Sequence, residues 1–417
     1  MKKVYLLAYF SLIGLTVQAQ QDTVATSSKR TADPAPAETV TPGKFTFSGY
    51  MDTYYFGNFN HPPDRLNVGL GGGARAFDQR AGQFGVGLVQ AKAIYTSAKV
   101  DAVFDLTWGS FADLANYGNI FSLNSASVVN NNAVSPVTST ALAIKQAYIT
   151  FKATPKLSFT AGQFGTHIGY EVIDAPLNFN YSLSNLFNNG PFYHIGLKAQ
   201  YTFSDRFYLM AGVVNDVDRI YDNNHAKGFI AQVFVSPAKG WNVYLNTAIS
   251  NEADERVNGT DSTGLYEIYD LTTTYQATDK WLLGLNAVTG WQKGGYQNKY
   301  NPFFTNTYTD RLTNWGGIAL YTNYAFTPKF ALGGRYDYFD NTGGARALVV
   351  PDGEGTTYVG ATVKSVTITG NFTLADGHLL LKPEFRMDSY NKPKFAQSDG
   401  SLTKSQATLG MAAIFKF

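Results

Sequence analysis

The sequence predicts an all-β protein: a transmembrane, antiparallel, up-and-down β-barrel of about 16 strands. Three observations carry this reading. Apolar and polar residues alternate with period two from residue 44 to the end. The connections between the alternating segments switch regularly between short and long. Aromatic side chains gather beside the short ones.

Composition sets the bounds. Of 417 residues, 44% are hydrophobic, 15% aromatic and only 15% charged. Charge well below the roughly 25% of a soluble domain, with so many aromatics, excludes disorder. Past the N-terminus no apolar run reaches the ~18 residues that mark a membrane helix. Setting aside Lys2 and Lys3, 31 basic residues face 31 acidic ones, which gives no sign of a nucleic-acid partner. Cysteine is absent, so disulfides, thiolate metal sites and a cysteine nucleophile are excluded. His61, His167, His194, His225 and His378 are scattered without HExxH spacing, and no metal or cofactor is expected.

In chain order, 1–19 reads as a cleavable signal peptide. Lys2 and Lys3 precede an apolar run, and Val17-Gln18-Ala19 offers a cleavage site. Residues 20–43, rich in Thr, Ala, Ser and Pro, read as a flexible periplasmic linker. The barrel then occupies 44–417. Its expected strands are 44–56, 83–96, 99–110, 142–152, 156–168, 192–204, 206–215 and 227–236. The remaining eight are 241–250, 264–276, 280–292, 314–326, 329–339, 357–374, 378–389 and 404–417.

Alternation fixes the faces. In the third strand Val100, Ala102, Phe104, Leu106 and Trp108 share one side, opposite Asp101, Asp105 and Thr107. A helix would repeat at 3.6 instead. Turns such as Ser97-Ala98, Ser204-Asp205 and Thr327-Pro328 alternate with long loops at 57–82, 111–141, 169–191, 216–226, 251–263, 293–313, 340–356 and 390–403. Short periplasmic turns and long extracellular loops are the outer-membrane barrel pattern. A soluble sandwich or propeller has no reason for this asymmetry. Phe151 and Phe159, Tyr275 and Trp281, and Phe326 and Phe330 bracket short turns, as an interfacial aromatic girdle would. The last strand ends on Phe417, a terminal aromatic that resembles the signal read by the barrel-insertion machinery.

Hydrocarbon cannot hydrogen-bond an open sheet edge, so the strands must close. Sixteen strands leave an aqueous interior wide enough for small solutes.

Several stretches carry a family resemblance. They are Ser48-Gly49-Tyr50-Met51-Asp52-Thr53-Tyr54-Tyr55, Gln146-Ala147-Tyr148, and Gly162-Gln163-Phe164-Gly165-Thr166-His167-Ile168-Gly169-Tyr170-Glu171. Asn180-Tyr181-Ser182, Gly190-Pro191-Phe192-Tyr193-His194-Ile195-Gly196 and Leu381-Lys382-Pro383-Glu384-Phe385-Arg386-Met387-Asp388 follow. Together they resemble the OmpL-like β-barrel porins of Gram-negative bacteria, including the Bacteroidetes, over about 44–417; His167 departs from the pattern. The resemblance implies a pore in the outer membrane and names no solute.

By alternation, the lumen face holds Asp52, Lys92, Asp101, Asp105, Lys198, Asp270, Arg335, Asp337, Lys382, Glu384, Arg386 and Asp388. This mixture of signs predicts a weakly selective pore with a slight cation preference. Strands 329–339 and 378–389, taken as neighbours, offer a transverse charge pair from Arg335, Asp337, Glu384 and Arg386. Lys145 falls on the lipid face, either snorkelling or marking a register slip. Loop 169–191, with Tyr170, Glu171, Asp174, Tyr181, Phe187 and Pro191, is the expected constriction.

Other functions stay open. Long Asn- and Tyr-rich loops could serve an occluded barrel with a binding or adhesion role. Loop 251–263 could hold Ca²⁺ but lacks EF-hand spacing. Ser182 and His194 could make a barrel-embedded hydrolase, though no orienting third residue is evident. Too little chain precedes the first strand for a folded plug. Expected partners are outer-membrane lipid, the insertion machinery and small hydrophilic solutes; a homo-oligomer is left open.

Overall fold

A computed structural model of the chain describes residues 43–70, 73–115, 143–220, 222, 224–252, 264–293, 312–346, 348–351 and 358–417. The leader, the linker through residue 42, and most of loops 111–141, 251–263 and 293–313 lie outside the described residues. So does the Ca²⁺ reading of 251–263.

Sixteen antiparallel strands close into one barrel in chain order. They are β1 (Lys44–Asn58), β2 (Phe84–Thr96), β3 (Val100–Trp108), β4 (Ile144–Lys152), β5 (Leu157–Gly165), β6 (Tyr193–Ser204), β7 (Phe207–Val214) and β8 (Gly228–Ala238). Then come β9 (Trp241–Asn251), β10 (Leu265–Thr278), β11 (Trp281–Lys293), β12 (Leu312–Thr327), β13 (Phe330–Asp340), β14 (Thr362–Leu374), β15 (Leu379–Tyr390) and β16 (Ser405–Lys416). A short helix, α1 (Ser110–Ala115), follows β3; another, α2 (Asn185–Asn189), lies between β5 and β6.

The polarity is that of a barrel in lipid. Phe104 and Trp108 are 54% and 48% exposed, whereas Asp105 on the opposite face is fully buried. The outward faces of the other strands are likewise apolar and exposed, from Phe47 on β1 to Met411 on β16. Beside the short turns the aromatics form a belt. Phe203 stacks on Phe207, and Phe326 on Phe330. Trp241 and Trp281 donate their indole N–H groups to Thr273 and Thr322 on neighbouring strands, so the one polar atom of each ring is satisfied.

Two strand expectations are corrected. The segment 357–374 is not one strand. β13 ends at Asp340, so residues before Thr362 have no barrel neighbour on that side. Tyr358–Gly360 instead pairs with Val349–Pro351 in a separate hairpin. The expected strand 156–168 stops at Gly165, because the chain then turns inward and His167 reaches the Thr247 carbonyl of β9 at 3.0 Å.

The barrel closes between β1 and β16, in register from Tyr50↔Lys416 to Asn58↔Thr408. Phe417 completes the seam: its N–H donates to the Gly49 carbonyl at 3.1 Å, and its carbonyl accepts from Gly49 at 3.3 Å. Deleting Phe417 removes both bonds and an exposed ring, and is expected to destabilise the barrel by about 1–3 kcal/mol. Urea titration of the refolded barrel, followed by heat-modifiable gel migration, checks this; an unchanged midpoint would contradict the seam's role.

Candidate functional site

From Thr166 to Phe192 the chain does not leave the barrel but crosses its interior. Irregular backbone there has no ladder to complete, and each buried N–H or C=O left unmet costs about 1–3 kcal/mol. The wall charges meet them. Glu384 on β15 accepts the Tyr181 and Ser182 amides at 2.7 and 3.0 Å, and the Thr369 hydroxyl at 2.7 Å. Asp337 on β13 accepts the Asn185 amide at 3.0 Å and its side-chain amide at 2.5 Å. Cations serve the carbonyls. Arg335 donates to Ser182 O at 2.6 Å, Arg386 to Leu183 O at 2.7 Å, and Lys382 to Ala175 O and Asn178 O at 2.9 and 2.5 Å. Arg335 also pairs with Glu171 of the loop at 2.7 Å and with Asp337 at 3.1 Å.

The loop's own sequence finishes the fit. Ser184 caps α2 by accepting from Phe187 N at 3.1 Å, and its amide donates to Glu171 at 2.8 Å. Tyr170 stacks on Tyr321 with ring centroids 4.1 Å apart. It has room because β11 carries Gly284 beneath it, where a Cβ would lie 2.4 Å from the phenol oxygen. Tyr181 enters a cluster with Tyr54, Phe56 and Phe111, and its hydroxyl donates to Asp52 at 3.2 Å. Phe187 packs on Phe77 and Phe192.

The predicted lumen charges thus all lie on the inner face, but in two settings. Arg335, Asp337, Lys382, Glu384, Arg386 and Asp388 are buried under the loop and bonded to protein. Strands β13 and β15 are not neighbours, since β14 runs between them, which corrects the expected pairing. Their link is indirect: Arg335 reaches Thr367 of β14 at 3.1 Å, and Asp388 accepts from Ser365 of β14 at 2.7 Å. Asp270 accepts from Gly169 N at 3.2 Å. On the other side Asp101 pairs with Lys152 at 2.7 Å, Asp105 lies 3.3 Å from Lys145 and 4.0 Å from Lys92, and Lys198 sits over the Phe164 ring at 4.2 Å.

Of the two readings of Lys145, the register slip is the one that holds. The side chain faces the lumen and bonds Asp174 of the loop as well as Asp105. The cause is a bulge: Asp105 pairs with Gln146 but Leu106 with Ile144, leaving Lys145 as the extra residue. Two other anchors gave no sequence signal. Arg75, from the β1–β2 loop, bonds Asp388 at 2.8 Å and also Asp78. Burial works against its charge, yet the two carboxylates outweigh it and raise its pKa. Arg346, from the β13–β14 loop, donates to the Asn189 carbonyl at the end of α2 and lies over Trp315 at 5.1 Å. Of Ser182 and His194, weighed as a catalytic pair, Ser182 makes the Glu384 and Arg335 bonds above with its backbone N–H and carbonyl, and a ring nitrogen of His194 lies 3.0 Å from the Thr166 hydroxyl.

A closed barrel of 16 strands, with a loop docked across it, can be compared with known proteins. The model of the family described as "Putative beta-barrel porin-2, OmpL-like" matches residues 44–417. The chain belongs to this family. No curated protein matches it. Among solved structures it is similar to the outer membrane channel DcaP of Acinetobacter baumannii, with 12% identity, TM-score 0.54, and 90% of this chain and 98% of that one covered. It is similar to OmpT of Vibrio cholerae, with 12% identity, TM-score 0.52, and coverage of 91% and 99%. It is also similar to an anion-selective porin from Comamonas acidovorans, with 9% identity, TM-score 0.52, and coverage of 90% and 100%. At these identities the likeness shows a shared barrel fold. The protein is an outer-membrane porin-family channel.

In this porin the loop leaves space on one side. It binds β1, β2, β4, β9, β10 and β12 to β15 through the contacts above, the Gln90 bond to Asp174 at 2.9 Å, the Asn180 bond to Thr369 at 2.6 Å and the His167 bond to Thr247 O at 3.0 Å. Between it and the β4–β8 wall lies a cavity that is partly open to solvent. Gln146, Tyr148, Lys198, Tyr208 and Gln232 line the wall side, and His167, Glu171 and Asp174 the loop side.

Arg335→Ala would leave Glu171 and Asp337 buried without their cation. The expected loss is about 3–5 kcal/mol of barrel stability, read from urea titration. A loss within error of zero would contradict the anchoring role.

Proposed function

We propose that the channel carries small hydrophilic solutes along a narrow path between the docked loop and the β4–β8 wall. The cavity at that place is the observation that carries this reading. Selectivity is weak on this account, because the charges bordering the cavity balance: Lys145 and Lys198 against Glu171 and Asp174. Lys145 also bonds Asp174, which further mutes each sign. Arg335, Asp337, Lys382, Glu384, Arg386 and Asp388 act in this reading as holders of the loop. Tyr170, Glu171, Asp174, Tyr181 and Phe187 are the loop's contributions to the constriction, and Asp101 and Asp105 are paired wall charges.

The same reading assigns the barrel no catalysis. Residues 1–19 export the chain to the outer membrane, 20–43 form a periplasmic tether, and the C-terminal strand ending in Phe417 engages the insertion machinery. The trimer form of Vibrio cholerae OmpT, similar at 11% identity and TM-score 0.50, supports a homo-oligomer. The breadth of the loop's attachment favours a second reading, in which the lumen is shut and the surface loops bind partners.

Single-channel recording in a planar bilayer under a salt gradient separates these. The first reading predicts small stable steps with a reversal potential near zero. Replacing 171–189 by a short Gly-Ser linker should raise conductance several-fold, and Lys198→Gln should move the reversal potential toward cations. Equal conductance with and without the loop would overturn the constriction; silence from the intact barrel with conduction after excision would favour the shut lumen.

A further inference from the structure

The short-turn end of the barrel carries a charge pattern that transport does not use. Six of its hairpins each present one exposed cation: Lys99, Lys156, Arg206, Lys239, Lys280 and Lys329. Lys44, at the start of β1, is exposed at the same end. The exposed acids there are Asp205, Asp279 and Asp376. Lys152 is near but differs: it turns into the lumen mouth onto Asp101.

The ring has a fixed depth. Lys239 and Lys280 precede the outward-facing Trp241 and Trp281 by two residues and one. At roughly 3.3 Å per residue, the cations lie just beyond the aromatic belt, where headgroup phosphates sit. Lysine and arginine stems can lie along the apolar surface and keep their charge at that level.

We propose that this rim binds anionic phospholipid headgroups of the periplasmic leaflet, selecting net-negative lipids such as phosphatidylglycerol over zwitterionic ones. The argument is charge complementarity at the right depth, repeated around the barrel. Each basic residue near an anionic surface adds to the attraction, and salt screens it. Tethering the short-turn rim in this way fixes the barrel's height and tilt in the membrane.

The test uses the refolded full-length mature chain in phosphatidylcholine vesicles containing phosphatidylglycerol. Trp108→Phe and Trp291→Phe leave Trp241 and Trp281 as the lipid-facing tryptophans, both beside the ring. Quenching by dibrominated phosphatidylglycerol is compared with quenching by dibrominated phosphatidylcholine. The expected preference is about two- to fivefold at low salt, falling toward unity at about 0.5 M salt. Changing the six hairpin cations to Gln should abolish it. No preference in the parent, or one that survives the six substitutions, would overturn the proposal. If the six-fold variant does not fold, the salt titration decides, and a preference that persists at high salt overturns it. Co-sedimentation with isolated peptidoglycan in the absence of any lipid preference would also overturn it and assign the ring to a wall polymer.

Discussion

Backbone that runs irregularly through a membrane barrel must have its amides and carbonyls met by the wall. Between Thr166 and Phe192 the chain has few neighbours of its own kind to pair with, and its polar groups are buried. Carboxylates receive the N–H groups and cations receive the carbonyls: Glu384 and Asp337 on one account, Arg335, Arg386 and Lys382 on the other. Charged side chains suit this work because their hydrogen bonds are about twice as strong as neutral ones. The charges also neutralise each other, which lowers the cost of burying them.

This requirement organises the wall in rows. Arg335, Thr367, Arg386 and Thr408 lie side by side on β13 to β16, and Asp337, Ser365, Asp388 and Gln406 form the adjacent row. Hydroxyls on β14 join the charges of its two neighbours. Arg75 closes the arrangement from the β1–β2 loop by reaching Asp388 and Thr408. What is left for transport is the opposite wall, where β4 to β8 face the cavity with amides, phenols and few charges.

Much of the fold was legible because alternation, turn spacing and interfacial aromatics all follow from the bilayer itself. Strand ends matched to within about two residues except where a neighbouring strand ran out, before Thr362, or where the chain turned inward at Thr166. The inner position of Arg335, Asp337, Glu384 and Arg386 was legible for the same reason, as was the aromatic loop that they hold. Their partners were not. Period-two reasoning gives a face, and it says nothing about a loop lying on that face. Lys145 shows the limit most clearly: a single bulge residue moved it from the expected lipid face to the lumen. Arg75 and Arg346 sit in loops without periodicity, so their contacts depend wholly on tertiary folding. The intervening β14 was placed in the sequence, but its role as the bridge between β13 and β15 required the closed sheet.

The central claim is that the loop is held rigidly by the charged wall. Hydrogen–deuterium exchange of the folded barrel, resolved by peptide over 170–190, tests it most directly. The account predicts that the Tyr181, Ser182 and Asn185 amides exchange as slowly as those of β13 and β15. Exchange at the rate of an unstructured chain would mean that the loop is not docked, and the account of the lumen would fail.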